Sequence, residues 1–419
     1  MVLLPATIII IFIIIYSTGI KVSVVYITAL MQVLYLIGLY IISTENGKYS
    51  SYWIFTAALI AYYMGLYIKT RLSKSKLITK TDIYKGSNNK LKYFLFCCAG
   101  LLILTILAVI YHYSVVGIPS LSEDVEVLRF QASKSGLFGI PSRIVNFGIY
   151  IILIHILIAK KNGLIDLKMY LVALVLALIV MLCSGSKSSL LTLLIVMVTV
   201  SRFIFNNTKK LIIVGVALLL ASTCYAYYIS LQFATTKYGN LLSYFIMRLF
   251  TIGPDTFNFI VEEYTVKTGL SYGVDLIKDL LYPFIKLINP AASEMTLIST
   301  ISKDFYNTPD GSFIVPITPS IFGYLYTQFG FITTIVLSTI LGYMTSILYL
   351  NANTETNYYK KCYFVMLEYI MFISVTNGNF IYTITNFLMT YIMLALIWYI
   401  FYVLYKILVI SSKTANQPI

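Results

Sequence analysis

Residues 93–114 read YFLFCCAGLLILTILAVIYHYS, a run with no charged side chain. At 1.5 Å of helical rise per residue it covers roughly 33 Å, enough to cross a hydrocarbon core about 30 Å thick. Lys90 and Lys92 stand just before it. Such a stretch is a membrane span, and it sets the reading of the rest of the chain. Ten further apolar runs bounded by charge or by Asn, Gly and Pro clusters lie at 2–20, 22–43, 52–69, 143–159, 169–184, 188–205, 211–230, 329–350, 362–376 and 381–405. The expected fold class is therefore all-α, a polytopic integral membrane protein with about eleven transmembrane helices. The first run is followed, not preceded, by Lys21 and ends in no small-residue cleavage pattern, so it is read as a retained helix.

The composition excludes a soluble globular protein. Of 419 residues 59% are hydrophobic and 11% charged, with a mean hydropathy of +0.87, whereas soluble domains carry roughly a quarter charged residues. A net charge of +14 would point to nucleic acid in a soluble chain, but here the connections between spans decide its meaning. Eight Lys and Arg residues between 69 and 92 mark that segment as cytoplasmic. Alternating sides from there, 19 basic residues face 3 acidic ones inside and 11 face 12 outside, with Glu368 left within a span. The charge reports insertion, with the N-terminus outside, the C-terminus in the cytoplasm and no role for nucleic acid. Five cysteines and two histidines sit apart in or beside apolar runs, so they read as packing residues, with no metal and no cofactor expected.

Two outer connections are too long to be turns: 115–142 and, above all, 231–328. Function, if enzymatic, is expected on that face. The longer one has helical periodicity. Phe257, Ile260, Val261 and Tyr264 share one face of 255–264, with Asp255, Asn258 and Glu262 opposite; in 272–288, Ile277, Leu280, Leu281, Phe284 and Ile288 oppose Asp275, Lys278, Asp279 and Lys286. Such helices either lie on the bilayer surface or dock over the bundle with the polar face toward a cavity.

Three groups of outer residues have chemical potential. In Ser184-Gly185-Ser186-Lys187-Ser188-Ser189, approachable backbone N–H groups, a helix start and a full charge make Ser186 and Lys187 candidates for holding a phosphate group. The same residues equally read as a polar hairpin capping a helix. Next, Arg129 follows Gly117-Ile118-Pro119 and the acids Glu123, Asp124 and Glu126, with Arg143 further on. Outer-face arginines bind diphosphate through two N–H groups at once, or anchor to lipid headgroups. Last, Arg248 precedes Gly253-Pro254-Asp255 and Glu262-Glu263. Asp255 and Glu262 are seven residues apart on one helix face, an arrangement suited to a general base beside a cationic clamp; Asp255 also reads as an N-cap. Glu368, the one acid inside a span, is a further candidate by default.

The outer hairpin Ser184-Gly185-Ser186-Lys187-Ser188-Ser189-Leu190-Leu191, the Gly117-Ile118-Pro119 turn with Arg129 about ten residues on, and Pro319-Ser320-Ile321-Phe322-Gly323-Tyr324-Leu325-Tyr326 with Phe329-Gly330 together resemble the bacterial oligosaccharide repeat-unit polymerases, the O-antigen or capsule polymerases of the Wzy type. The plan covers essentially the whole chain through short motifs. It departs where some members place glycine eleven residues after an outer-loop arginine: position 140 is Ile140. The resemblance implies a GT-C-like membrane glycosyltransferase that joins undecaprenyl-diphosphate-linked repeat units on the outer leaflet of the cytoplasmic membrane. It implies Arg129, Arg248 and Lys187, with Arg143, around the departing diphosphate and Asp255 or Glu262 as base. A chain-length regulator and a flippase are the implied protein partners, with membrane lipid around the spans. The competing readings are an O-antigen ligase, which shares donor and topology, and a transporter for the same lipid-linked sugar.

Overall fold

The computed structural model describes residues 3–18, 24–72, 88–122, 140–161, 163–184, 252–289, 296–307, 317–378 and 380–415, with isolated positions between 193 and 224. Among these residues the secondary structure is helical throughout. The long helices are α1 (Leu3–Thr18), α2 (Val24–Asn46), α3 (Ser50–Leu72) and α4 (Asn88–Val116). The rod continues as α5 (Ile140–Arg143), a π turn (Ile144–Gly148) and α6 (Ile149–Lys161), followed by α7 (Leu167–Cys183). After the described part resumes come α8 (Ile252–Phe259), a second π turn (Ile260–Tyr264), α9 (Thr265–Thr268), α10 (Val274–Ile288) and α11 (Leu297–Tyr306). The chain ends with α12 (Ser320–Thr354), α13 (Tyr358–Asn377) and α14 (Phe380–Ala415).

Six helices among the described residues are long and apolar enough to cross a membrane, not eleven: Thr28–Asn46, Ser50–Leu72, Lys92–Val116, Ile140–Lys160, Ser320–Thr354 and Thr383–Val409. The difference has physical reasons. Each of the nine expected spans that falls on described residues is a helix, but α1 and α7 have only 16 and 17 residues, and α13 carries Lys360, Lys361 and Glu368 within its 20. The expected spans 188–205 and 211–230 lie outside the described residues, apart from the isolated positions.

The bundle is organised around α3 and α12, whose backbones touch. A methyl group at Gly65 would collide with the Thr339 carbonyl, and one at Gly342 with the Tyr62 carbonyl. In a bilayer, where lipid is as apolar as leucine, close packing of small residues is a main source of helix association. The long helix α12 breaks once, at Gly330, where φ is 75° and ψ −173°. Residues 320–328 ahead of the break are almost wholly enclosed, whereas Phe331 and Ile332 beyond it are exposed.

Helices α8 to α11 form a cap over the end of the bundle where α2, α4, α7 and α13 finish and α3, α5, α12 and α14 begin. Tyr35 on α2 donates to the Gly253 carbonyl at 2.5 Å, and Ser51 on α3 donates to Asn258 Oδ1 at 2.8 Å. Phe55 is the hub of the seam, stacked on Tyr35 at 4.8 Å and meeting Phe257 and Phe322 edge-on at 5.4 and 5.3 Å. As the sequence periodicity predicts, Phe257, Ile260, Val261 and Tyr264 are all buried. A small apolar core of Ile260, Tyr264, Leu297, Ile298, Ile301, Ile317 and Tyr324 holds the cap together.

Candidate functional site

Of the seven residues assigned to a site from sequence, Arg129, Ser186, Lys187 and Arg248 lie outside the described residues. Asp255, Glu262 and Arg143 are described, all at the cap end, and different elements hold them.

Asp255 is not an N-cap. Helix α8 starts at Ile252, which places Asp255 in its first turn beside Pro254, where a missing N–H costs nothing. Its carboxyl is half-buried, and burial, followed by the neighbouring Glu45 at the end of α2, pushes its pKa up. Glu262 sits in the π turn one helical layer on, and Lys48 lies 3.9 Å from its Oε2. Its other oxygen, Oε1, is enclosed without a hydrogen bond. Both carboxylates thus face the short turn between α2 and α3, where Glu45 and Lys48 wait. Lys48 was not among the residues that sequence reasoning selected; its signal was only its place in the eight-residue connection 44–51 between two expected spans. A carboxyl whose pKa is raised by burial and by a second acid is a better proton acceptor than an ordinary aspartate.

Arg143 closes α5, just ahead of the π turn. Its Nη1 donates to Asn386 Oδ1 on α14 at 2.9 Å, and its Nη2 to the Pro283 carbonyl on α10 at 3.3 Å. One guanidinium therefore ties three elements together through its rigid fork of donors. The sequence reading of Arg143 as a phosphate ligand has to share those donors with this clamp.

One turn before that clamp, on the same face of α10, lies a group the sequence reading passed over. Asp279 has no exposed surface, and its Oδ1 accepts the Leu297 N–H at 3.0 Å. The Tyr324 hydroxyl lies beside the carboxylate without closing a well-formed bond to Oδ2. Burial raises the Asp279 pKa to about 6, against the opposing pull of the Leu297 N–H and the Tyr324 hydroxyl. Nothing in the pattern distinguishes Asp279 from Asp275 one turn earlier; only the docking of α10 does.

Within the membrane region Glu368 is fully buried on α13, with Tyr62 among its neighbours; the Tyr62 hydroxyl donates to Thr345 Oγ1 at 3.3 Å. It lies ten residues from the start of α13, roughly 15 Å along the axis. The two histidines pack among aromatics, His112 against Tyr113 and His155 between Tyr358 and Tyr391. His155 also borders an apolar cavity of about 120 Å³ between α4, α6 and α14. Among the described residues no three His, Cys, Asp or Glu side chains converge on a point that would hold a metal ion.

The class that fold and composition define is an α-helical membrane protein with several spanning helices and a helical cap over one end. No family model, curated protein or solved structure matches the chain.

Proposed function

We propose that the chain is an inverting glycosyltransferase that polymerises oligosaccharide repeat units carried on undecaprenyl diphosphate, working at the outer leaflet of the cytoplasmic membrane. The reading rests on the resemblance to the repeat-unit polymerases in the hairpin Ser184 to Leu191, in Gly117-Ile118-Pro119 with Arg129, and in Pro319 to Tyr326. The observation that supports it best is the cap, which sets a half-buried carboxyl pair and an arginine at the end of a bundle open to lipid. A polyprenyl diphosphate needs lipid access for its tail, cations for its phosphates and a base for the acceptor hydroxyl. The substrate arrives activated, so no nucleotide-binding loop is required.

In the proposed reaction an acceptor-sugar hydroxyl attacks the anomeric carbon of the donor glycan. The new C–O bond forms as the bond from that carbon to the diphosphate breaks, with inversion, and the lipid diphosphate leaves with the electron pair. Asp255 takes the hydroxyl proton; Glu262, paired with Lys48, is the less available of the two acids. Arg129, Arg248 and Lys187, with Ser186 beside it, stabilise charge on the departing diphosphate, the largest single contribution to such a transition state. Arg143 holds the cap at the edge of this region. An O-antigen ligase would use the same donor chemistry and differ in its acceptor.

Alanine at Arg129 and at Arg248 is the test, in cells whose long-chain glycan is displayed on a gel. Loss of the long-chain ladder at normal protein level is the expected result, and retention of the ladder by both variants contradicts the proposal.

A further inference from the structure

Helix α10 has two faces that the fold treats in opposite ways. On one, Asp279 and Tyr282 are enclosed and the Pro283 carbonyl is taken by Arg143. On the other, Ile277, Leu280, Leu281, Phe284, Ile285 and Ile288 remain between 44% and 87% exposed. Six large apolar side chains in one continuous strip is a surface that soluble faces of proteins avoid.

The position of the strip says what covers it. The N-terminal end of α10 is tied to Gln328 on α12: Ser271 Oγ and the Gly273 N–H donate to Gln328 Oε1 at 2.7 and 3.1 Å, and the Tyr272 N–H donates to the Gln328 carbonyl at 2.8 Å. Three residues further, at Phe331, α12 turns from enclosed to exposed apolar. The second half of α10 is tied through Arg143 to Asn386 on α14, six residues before Ile392, where the exposed apolar surface of α14 begins. At 1.5 Å per residue, the two tie points lie roughly 5 and 9 Å beyond the start of the lipid-facing surface of their helices. A helix pinned to two spanning helices at nearly one height runs across the bundle axis, in the plane of the bilayer. That height is where an amphipathic helix rests with its apolar face about 5–10 Å into the headgroup and acyl boundary.

We infer that α10 is an in-plane membrane helix whose strip from Ile277 to Ile288 is seated in the acyl chains of the leaflet on the cap side. The occupant is lipid hydrocarbon, because the strip continues the exposed apolar surfaces of α12 and α14. The Asp275 and Lys278 pair, 2.8 Å apart and beside the strip, then stands at headgroup level.

Photolabelling of the full chain in phosphatidylcholine nanodiscs tests this, with a diazirine placed midway along the acyl chain of the probe lipid and adducts mapped by peptide mass spectrometry. The expected result is labelling of 274–288 on its apolar face at a yield comparable to that of 331–344 on α12, which serves as the internal standard, and its loss in Leu281→Glu. Labelling of 331–344 with none in 274–288 overturns the inference, whether water or a protein partner covers the strip.

Discussion

A carboxyl group with no exposed surface must be held by donors or stay protonated, and Asp279 does some of each. Its pKa of about 6 in the folded chain stands above the ordinary aspartate value of 3.8. An acid whose pKa is raised by folding contributes stability in its protonated form, fully present below about 4 and lost as the pH rises to about 6. Asp279→Asn keeps an oxygen for the Leu297 N–H and carries no charge. The variant should therefore melt higher than the parent at pH 8, by up to about 2–3 kcal/mol of apparent stability, and match it near pH 4. Equal destabilisation at both pH values would mean that the charged form is what the cap requires. Asp255 allows a separate test through Glu45, which raises its pKa. Replacing Glu45 with Gln should move the acid limb of turnover to lower pH, and an unmoved limb would remove Asp255 from the role of base. These residue-scale properties were only half legible in the sequence. The nearness of Asp255 and Glu262 to one face could be read from spacing, but the burial of Asp279 arises from the docking of α10 against Leu297 and Tyr324, and the part of Lys48 from its contact with Glu262, over two hundred residues away in sequence.

At the scale of elements, the α3 and α12 contact depends on two glycines that leave no room for a methyl group, since Gly65 faces the Thr339 carbonyl and Gly342 the Tyr62 carbonyl. Gly65→Ala and Gly342→Ala should each lower the melting point in detergent, at a cost of about 1–3 kcal/mol for overpacking. Gly148→Ala is the control: a methyl group there would meet Ile144 Cβ and Thr390 Cγ2 at an ordinary 3.6 Å. Equal melting points for all three would show that the two helices can part without loss. Hydropathy locates this helix pair but misplaces its ends. It starts the ninth run at 329, whereas α12 starts at Ser320, because residues 320–328 are buried under the cap and need not be lipid-soluble. Hydropathy reads where lipid begins, and the helix extends beyond that line. The same logic explains α10, whose amphipathic period is plain in the sequence while the side of it that faces protein is not.

For the whole molecule, apolar composition makes a membrane bundle inescapable, and we propose from the distribution of Lys and Arg that the capped end is the outer one. That assignment predicts that a tag at position 80 is reached from the cytoplasm alone and one at position 310 from outside alone, as protease protection of oriented vesicles would report. Reversed protection would place the proposed chemistry on the wrong leaflet. The proposed activity is legible in sequence only through short motifs, because periodicity says nothing of how residues as far apart as Arg129, Lys187, Arg248 and Asp255 stand relative to one another. The most direct test supplies the purified chain, reconstituted in liposomes, with undecaprenyl-diphosphate-linked repeat units. The account predicts a ladder of lengthened glycan still attached to the lipid, absent in the Arg129→Ala and Arg248→Ala variants; movement of the lipid-linked unit between leaflets with no lengthening would contradict it.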